Sequence, residues 1–398
     1  MIYLAHGGFW IFAGQTISSL SVFVVAVAFA NLLPQETYGA YKYILSLAAL
    51  FAVFTLPGMT HAVARAVARG NTSVARRALR WRIRWSLIGS AIAFLGGSYY
   101  FLNGNTQLGS ALFLIAATLP FYDTYALYNA YLTGTREFKK QTLYHLTTQS
   151  LSMAALVVTL LLTDNLFLIL FAYFVPVAIA RFVIFRKTVP QTEPAAQKDE
   201  DDITYGKHLS VINLLGVVAS NIDKVLLWKF LGPAQLAIYA FAIAIPEQVR
   251  GPLKGMSNIM LPKFAVQPAG DDGRYPTPHA FWYKFLLYAA FLGSISLVYI
   301  AIAPFLFMFF FPTYTSSILF SQILALGLVT GAQTMPATLL TAQRRAKTQY
   351  VLSVIRSTVQ IILFVMLIPL FGIMGAILAT IVTNTVNLIS TVIAVVIK

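Results

Sequence analysis

LTGTREFKKQ, residues 132–141, is echoed by LTAQRRAKTQ, residues 340–349. Leu132, Thr133, Arg136, Lys139 and Gln141 recur as Leu340, Thr341, Arg344, Lys347 and Gln349, and the small Gly134 recurs as Ala342. In each copy an apolar run ends, a basic turn follows, and a new apolar run starts at the same phase. Other pairs fall at nearly the same shift. Pro34 and Tyr41 of LLPQETYGAY match Pro233 and Tyr239 of LGPAQLAIY, with one extra residue in the first copy. Gly58-Met59-Thr60 matches Gly255-Met256-Ser257. Self-similarity at a long, fixed shift is the mark of a repeated architecture. The chain therefore reads as two related halves.

The solvent of those halves follows from composition. Of 398 residues, 58% are hydrophobic and only 10% are charged, and the mean hydropathy is +0.75. A soluble domain carries roughly 25% charged residues, so this chain lacks the polar side chains to cover a wet surface. Lipid is its solvent, and at about 20 residues per crossing there is room for about a dozen spans. We place them near 8–33, 39–66, 83–102, 108–134, 139–163 and 165–187, then 206–231, 236–261, 281–304, 316–342, 347–370 and 372–397. The predicted fold is an all-α polytopic membrane protein. Residues 1–187 and 206–398 form two six-helix bundles. An even number of spans per half sends both into the membrane in the same direction, related by a pseudo-two-fold axis along the membrane normal. The first apolar run has no charged leader and is too long for a signal-peptide core, so it reads as a retained span. Residues 188–205, TVPQTEPAAQKDEDDITY, read as a flexible cytoplasmic linker with a solvated acidic run.

The net charge is +15, and its distribution matters more than its size. Twenty-four of the 28 basic residues fall in or beside alternate connections, Arg82 and Arg181 among them. The opposite connections contain none. Basic loops stay cytoplasmic, which predicts a multi-pass protein of the cytoplasmic membrane with both termini inside. Basic clusters placed this way anchor topology and touch anionic lipid. They do not indicate nucleic acid, since no soluble domain with interleaved aromatics accompanies them. The absence of Cys excludes disulfides and thiolate chemistry. His6, His61, His145, His208 and His279 fall near cytoplasmic span ends, and none lies in an HExxH pattern. No phosphate-binding G-x-x-x-x-G-K-[ST] loop is present. The chain reads as a non-enzyme, and no cofactor is expected.

Ionisable residues inside spans are the functional candidates, because each costs about 2.5–3.5 kcal/mol on insertion scales. They are Lys42, Asp123, Asp223, Lys224, Glu247, Arg250 and Arg356. Asp123 has no opposite charge within a helical turn. It must find a partner on another helix, meet water or take up a proton, so it is either an ion-coupling or a structural residue. Tyr122, Tyr125, Tyr128 and Tyr131 around it line a sugar path or pack between helices. Glu247 and Arg250, three apart, share a face and can pair. Asp223 and Lys224 project about 100° apart, which predicts a separate partner or a wet cavity for each. Arg356 has no acid nearby in sequence; it either binds an anion or snorkels to the cytoplasmic face.

These features resemble the polysaccharide-transporter (O-antigen-type) flippases of the multidrug/oligosaccharidyl-lipid/polysaccharide (MOP) exporter superfamily. The outer turns LLPQETYGAY and LGPAQLAIY look like that family's L-G-P-E-x-x-G-x-Y turn, although the first has an extra residue and lacks the Gly before Pro34. NIDKVLLWKFLGP, residues 221–233, looks like its seventh-span segment, and LTGTREFKK, residues 132–140, like the turn after its fourth span. The resemblance implies a flippase that carries a polyprenyl-pyrophosphate-linked oligosaccharide between leaflets by alternating access. It also implies a proton or sodium counter-ion, membrane lipids and glycan-assembly enzymes as partners. Lys224, Arg250, Arg356 and Lys42 are then the residues that meet the pyrophosphate, with Asp123, Glu247 and Asp223 in ion-coupling or structural roles. Two alternatives stand beside it: a drug or organic-cation antiporter of the same superfamily, and a membrane-embedded enzyme of glycan assembly. A cation exporter needs an acidic, aromatic cavity and a flippase a cationic one.

Overall fold

The computed structural model describes residues 21–190, 198–254, 279–343 and 345–396. All regular structure among them is helical. After a short apolar helix, α1 (Ser21–Leu32), come α2 (Gln35–Phe51), α3 (Met59–Ala68), α4 (Val74–Leu102), α5 (Thr106–Tyr122), α6 (Tyr128–Gly134), α7 (Phe138–Leu162) and α8 (Leu166–Thr188). The second part of the chain gives α9 (Lys198–Ala219), α10 (Ile222–Lys254), α11 (His279–Phe310), α12 (Ser317–Leu326), α13 (Thr334–Ala342) and α14 (Ala346–Val396). Nine helical stretches among the described residues are long and apolar enough to cross a membrane. Two of these, Glu200–Val249 and Lys347–Val396, have 50 residues each. At 1.5 Å per residue that is about 75 Å, far more than a bilayer core of about 30 Å. Each turns back at a glycine, Gly232 with φ 83° and Gly372 with φ 58°. A side chain is strained at such angles. The expected outer turns at 232–235 and 371 fall at these two points.

The chain divides into two compact units, Met1–Val225 and Leu226–Lys398. In the first, α5 packs between α4 and α8, α7 lies on α8, and α3 lies on α6 and α9. The reason is legible in α3. Met59, Ala62, Val63, Ala66 and Val67 recur at helical spacing, and all are buried. All but Ala62 form a core with Val74, Ala78, Tyr128, Tyr131, Leu132, Phe185 and Ile203. Tyr128 and Tyr131 are thus packing residues. Gly58 is where α9 comes closest. A Cβ there would lie 2.4 Å from the backbone N of Ser210, and Gly58 N–H donates to Ser210 Oγ at 3.0 Å. In the second unit α11 packs on α12 and on the 3-10 turn Gly327–Gln333, and α13 packs on α14. Small polar groups bind these helices to one another, as Ser317 Oγ donating to Ile238 O (2.9 Å) and Ser296 Oγ to Ala325 O (2.7 Å). Large apolar side chains such as Leu162, Phe305 and Phe309 face outward, as lipid requires.

The acidic run is exposed at Glu200 and Asp201, as expected, but not at Asp202. Residues 191–197 lie outside the described residues, but α9 starts at Lys198, inside the stretch read as a linker. Asp202 is buried and pairs with Arg69 at 2.5 Å, and Glu200 pairs with Arg77 at 3.4 Å. On the other side of the gap, Arg76 donates to Val189 O (2.9 Å) and Pro190 O (2.6 Å). Arg69 of the turn after α3 and Arg76 and Arg77 of the start of α4 therefore bind both flanks. Acids at a helix N-terminus also offset its dipole, which favours helix over tether here.

The repeated stretch has one geometry twice. A helix (α5, α12) gives way to a 3-10 turn (Tyr125–Leu127, Gly327–Gln333), then to a short helix (α6, α13), a basic turn and a long helix (α7, α14). Glu137 N donates to Leu132 O and Arg345 N to Leu340 O. Thr133 Oγ1 donates to Asn129 O, and Thr341 Oγ1 to Ala337 O. All these pairs match at a shift of 208 residues.

Candidate functional site

Two predicted spans of the first unit are broken. The first passes from α2 into the 3-10 turn Ala52–Thr55 and then Leu56, held at φ 54° before Pro57. The second runs through α5, whose Pro120 cannot donate to the helix ladder, and loosens at Asp123 and Thr124. A break leaves carbonyls without partners, and in lipid these must be satisfied from within the protein. Thr55 Oγ1 donates to Ala52 O at 2.7 Å, and Thr124 Oγ1 donates to Pro120 O. Two arginines do the rest. Arg82 Nη2, from α4, donates to Asp123 O at 2.9 Å and to Thr55 Oγ1 at 3.5 Å, and so ties the two breaks together. Arg181 Nη1, from α8, donates to Tyr122 O at 2.7 Å, and its guanidinium lies 4.2 Å from the Tyr122 ring centre.

The Asp123 carboxylate completes the group. Its Oδ1 is 3.9 Å from Arg181 Nη1, an attraction of ~4 kcal/mol at an effective dielectric constant near 20. Arg82 is only 4% exposed. Its Nε and Nη1, with Arg181 Nε, are buried and have no hydrogen-bond partner among the described residues. A buried donor left this way costs about 1–3 kcal/mol. Two guanidiniums thus face one carboxylate. A cavity of about 300 Å³ lies beside them, lined by Thr55, Thr60, Arg82, Asp123, Asn129 and others. A second, of about 270 Å³, runs from Asp123 past Tyr122, Tyr173 and Phe174. At ~30 Å³ per water, either could hold several waters or a small anion.

The other predicted residues lie elsewhere. Asp123 has found its partner on another helix, one of the outcomes its isolation required. Asp223 and Lys224 pair with each other, which their spacing on the helix did not predict. Lys224 Nζ lies 3.1 Å from Asp223 Oδ1 and also donates to Ser220 O at 3.1 Å. The 100° between adjacent residues is bridged because the flexible lysine stem curls back over the first turn of α10. Lys42 Nζ lies 5.2 Å from the Tyr38 ring centre, a cation–π contact. Glu247 is exposed on α10, and Arg356 is half-buried on α14. The side chain of Arg250 lies outside the described residues. Sequence reasoning missed Arg82 and Arg181, because it counted them with the basic loops. One signal was available: Arg181 lies inside the predicted span 165–187.

A family model described as polysaccharide biosynthesis protein matches residues 4–247. The chain belongs to this polysaccharide biosynthesis family. No curated protein matches it significantly. Solved structures resemble this family member along nearly its whole length. One is described as MATE in complex with MaD5, at TM-score 0.68 and 13% identity, with 99% of this chain and 95% of that one covered. A second is an inward-facing multidrug resistance MATE transporter of the MOP superfamily, at TM-score 0.67 and 13% identity over 95% and 93%. A third is a MOP-superfamily transporter from Pyrococcus furiosus described by the reversed polarity of its binding pocket, at TM-score 0.61 and 15% identity over 99% and 95%. At these identities the likeness is one of fold. Family and fold together indicate a multi-pass membrane protein of the polysaccharide biosynthesis family with the fold of MOP-superfamily transporters.

Proposed function

We propose that this family member moves a polyprenyl-pyrophosphate-linked oligosaccharide from the inner to the outer leaflet of the cytoplasmic membrane. The observation that carries this reading is the sign of the buried charge. Two arginines face one aspartate beside a cavity in the first unit. Burying an unpaired pyrophosphate in hydrocarbon costs tens of kcal/mol by idealised solvation estimates. A carrier of such a head group must therefore offer fixed cations and water. The family description points to a glycan as the cargo. We take the full architecture to be twelve spans in two parallel halves with both termini cytoplasmic, working by alternating access. Asp123 is the residue through which a proton or sodium gradient would act. Arg250, Arg356 and Lys42 stay as further head-group contacts, whereas the charge of Lys224 is balanced by Asp223.

Organic-cation antiport has one observation in its favour, an acid ringed by Tyr122, Tyr173 and Phe174. The cation place over Tyr122 is, however, already filled by Arg181. Among its structural neighbours, the transporter described by reversed pocket polarity is also said to have a different function. The test is complementation of a strain that lacks its own flippase, with leaflet accessibility of the lipid-linked glycan as readout. Restored surface glycan is expected. Efflux of a cationic dye with no glycan crossing would replace this reading with antiport.

A further inference from the structure

We propose that Arg82 and Arg181 form a binding site for a phosphate-class oxyanion, and that the Asp123 carboxylate is the resident anion which that ligand displaces. Four observations converge on it. Arg82 is almost wholly buried and lines the cavity of about 300 Å³. Three guanidinium nitrogens of Arg82 and Arg181 have no partner among the described residues. Two positive charges face a single negative one. That one is held loosely, since 3.9 Å exceeds hydrogen-bond length. Each alternative ligand fails on one of these points. A cation would meet a positive surplus. An apolar molecule would leave the N–H groups unpaired. A tetrahedral oxyanion brings several acceptor oxygens and a second negative charge, and arginine suits it through planar, multiple donors.

The breaks in the two spans explain why the site is fixed. Arg82 is tied by Nη2 to Asp123 O and Arg181 by Nη1 to Tyr122 O. The donors not used on carbonyls are therefore held in place before any ligand arrives. The same chemistry serves a lipid diphosphate or free inorganic phosphate. The assignment of the anion to a lipid head group rests on the proposed function, whereas the site itself does not.

The test uses the purified full chain in detergent, titrated calorimetrically with inorganic pyrophosphate and with a short-chain prenyl pyrophosphate. Both should bind the wild-type chain. Arg82→Gln and Arg181→Gln should each weaken both by about tenfold or more, the worth of a charged hydrogen bond. Glutamine can still cap one carbonyl. Should either variant fail to fold, Arg82→Lys and Arg181→Lys replace it, keeping the charge with fewer donors, and intermediate affinity is expected. Asp123→Asn should bind more tightly than wild type, because the competing carboxylate is gone; a purely structural Asp123 would not produce that gain. Absence of pyrophosphate binding to folded wild-type protein would overturn the site, as would weaker binding by Asp123→Asn. Binding of the prenyl compound alone would assign the affinity to the lipid tail and overturn it too. Anion binding lost in the arginine variants while glycan export stays normal would leave the site standing and remove the flippase reading. Export lost with no anion binding would do the reverse.

Discussion

The two broken spans of this protein are built alike and loaded differently. In the first unit, α5, the 3-10 turn Tyr125–Leu127 and α6 carry Asp123 at the break. In the second, α12, the turn Gly327–Gln333 and α13 carry Gly331 at the corresponding place, 208 residues on. Both copies must find partners for carbonyls that a continuous helix would satisfy. The first recruits two arginines and so gains a charged centre beside a cavity. The second uses neutral groups. Thr330 Oγ1 donates to Gly327 O, Thr334 Oγ1 to Gly331 O, and Asn387 Nδ2 to Gln333 Oε1 at 2.5 Å. The same device can therefore be either a site or a joint. The difference lies in whether the partners bring net charge.

The comparison can be attacked at four points. Arg181→Ala should do most harm. It removes the cation beside the partly exposed Asp123 carboxylate and uncaps Tyr122 O, together a loss of about 3–5 kcal/mol when a charged interaction and a carbonyl's only side-chain donor go at once. Thermal unfolding in detergent reads it, and a change below 1 kcal/mol would mean that the pair is wet. Gly331→Asp then writes the first unit's acid into the second without its arginines. A Cβ there has room, its nearest neighbour being Leu292 Cδ1 at 3.5 Å. The unpaired carboxylate should cost about 2.5–3.5 kcal/mol, and an unchanged melting temperature would show that the two breaks differ less than we hold. Asn387→Ala should cost only about 0.6 kcal/mol, at most about 1.7, as interhelical hydrogen bonds in membranes do. A larger loss would make the neutral joint as demanding as the charged one. Arg77→Ala, at the exposed ion pair with Glu200, should cost about 0.2–1 kcal/mol and its effect should shrink at high salt.

Much of this was legible beforehand. The repeat at 132–141 and 340–349 located two turns whose hydrogen bonds match. Gly232 and Gly372 sit at predicted outer turns, because a span that reverses within a few residues needs a backbone few other residues accept. Asp123 stood out because nothing along its own helix could pair with it. The partners were not legible. Arg82 and Arg181 sit near the basic ends of their spans, and counted by position they are indistinguishable from the topology anchors around them. Lys224 was misjudged because helical spacing fixes where Cβ points and not where a long side chain ends. Asp202 read as solvated with its neighbours because nothing in its own sequence reveals Arg69, 133 residues earlier.

The sequence by itself determined a lipid-dissolved helical chain, its repeated turns and the single acid that had to seek company. Those are local quantities, set by composition, periodicity and charge along one strand of text. Only the tertiary structure decided which cations left the basic face to meet that acid, because the choice depends on where two interrupted helices expose their carbonyls to neighbours from distant segments.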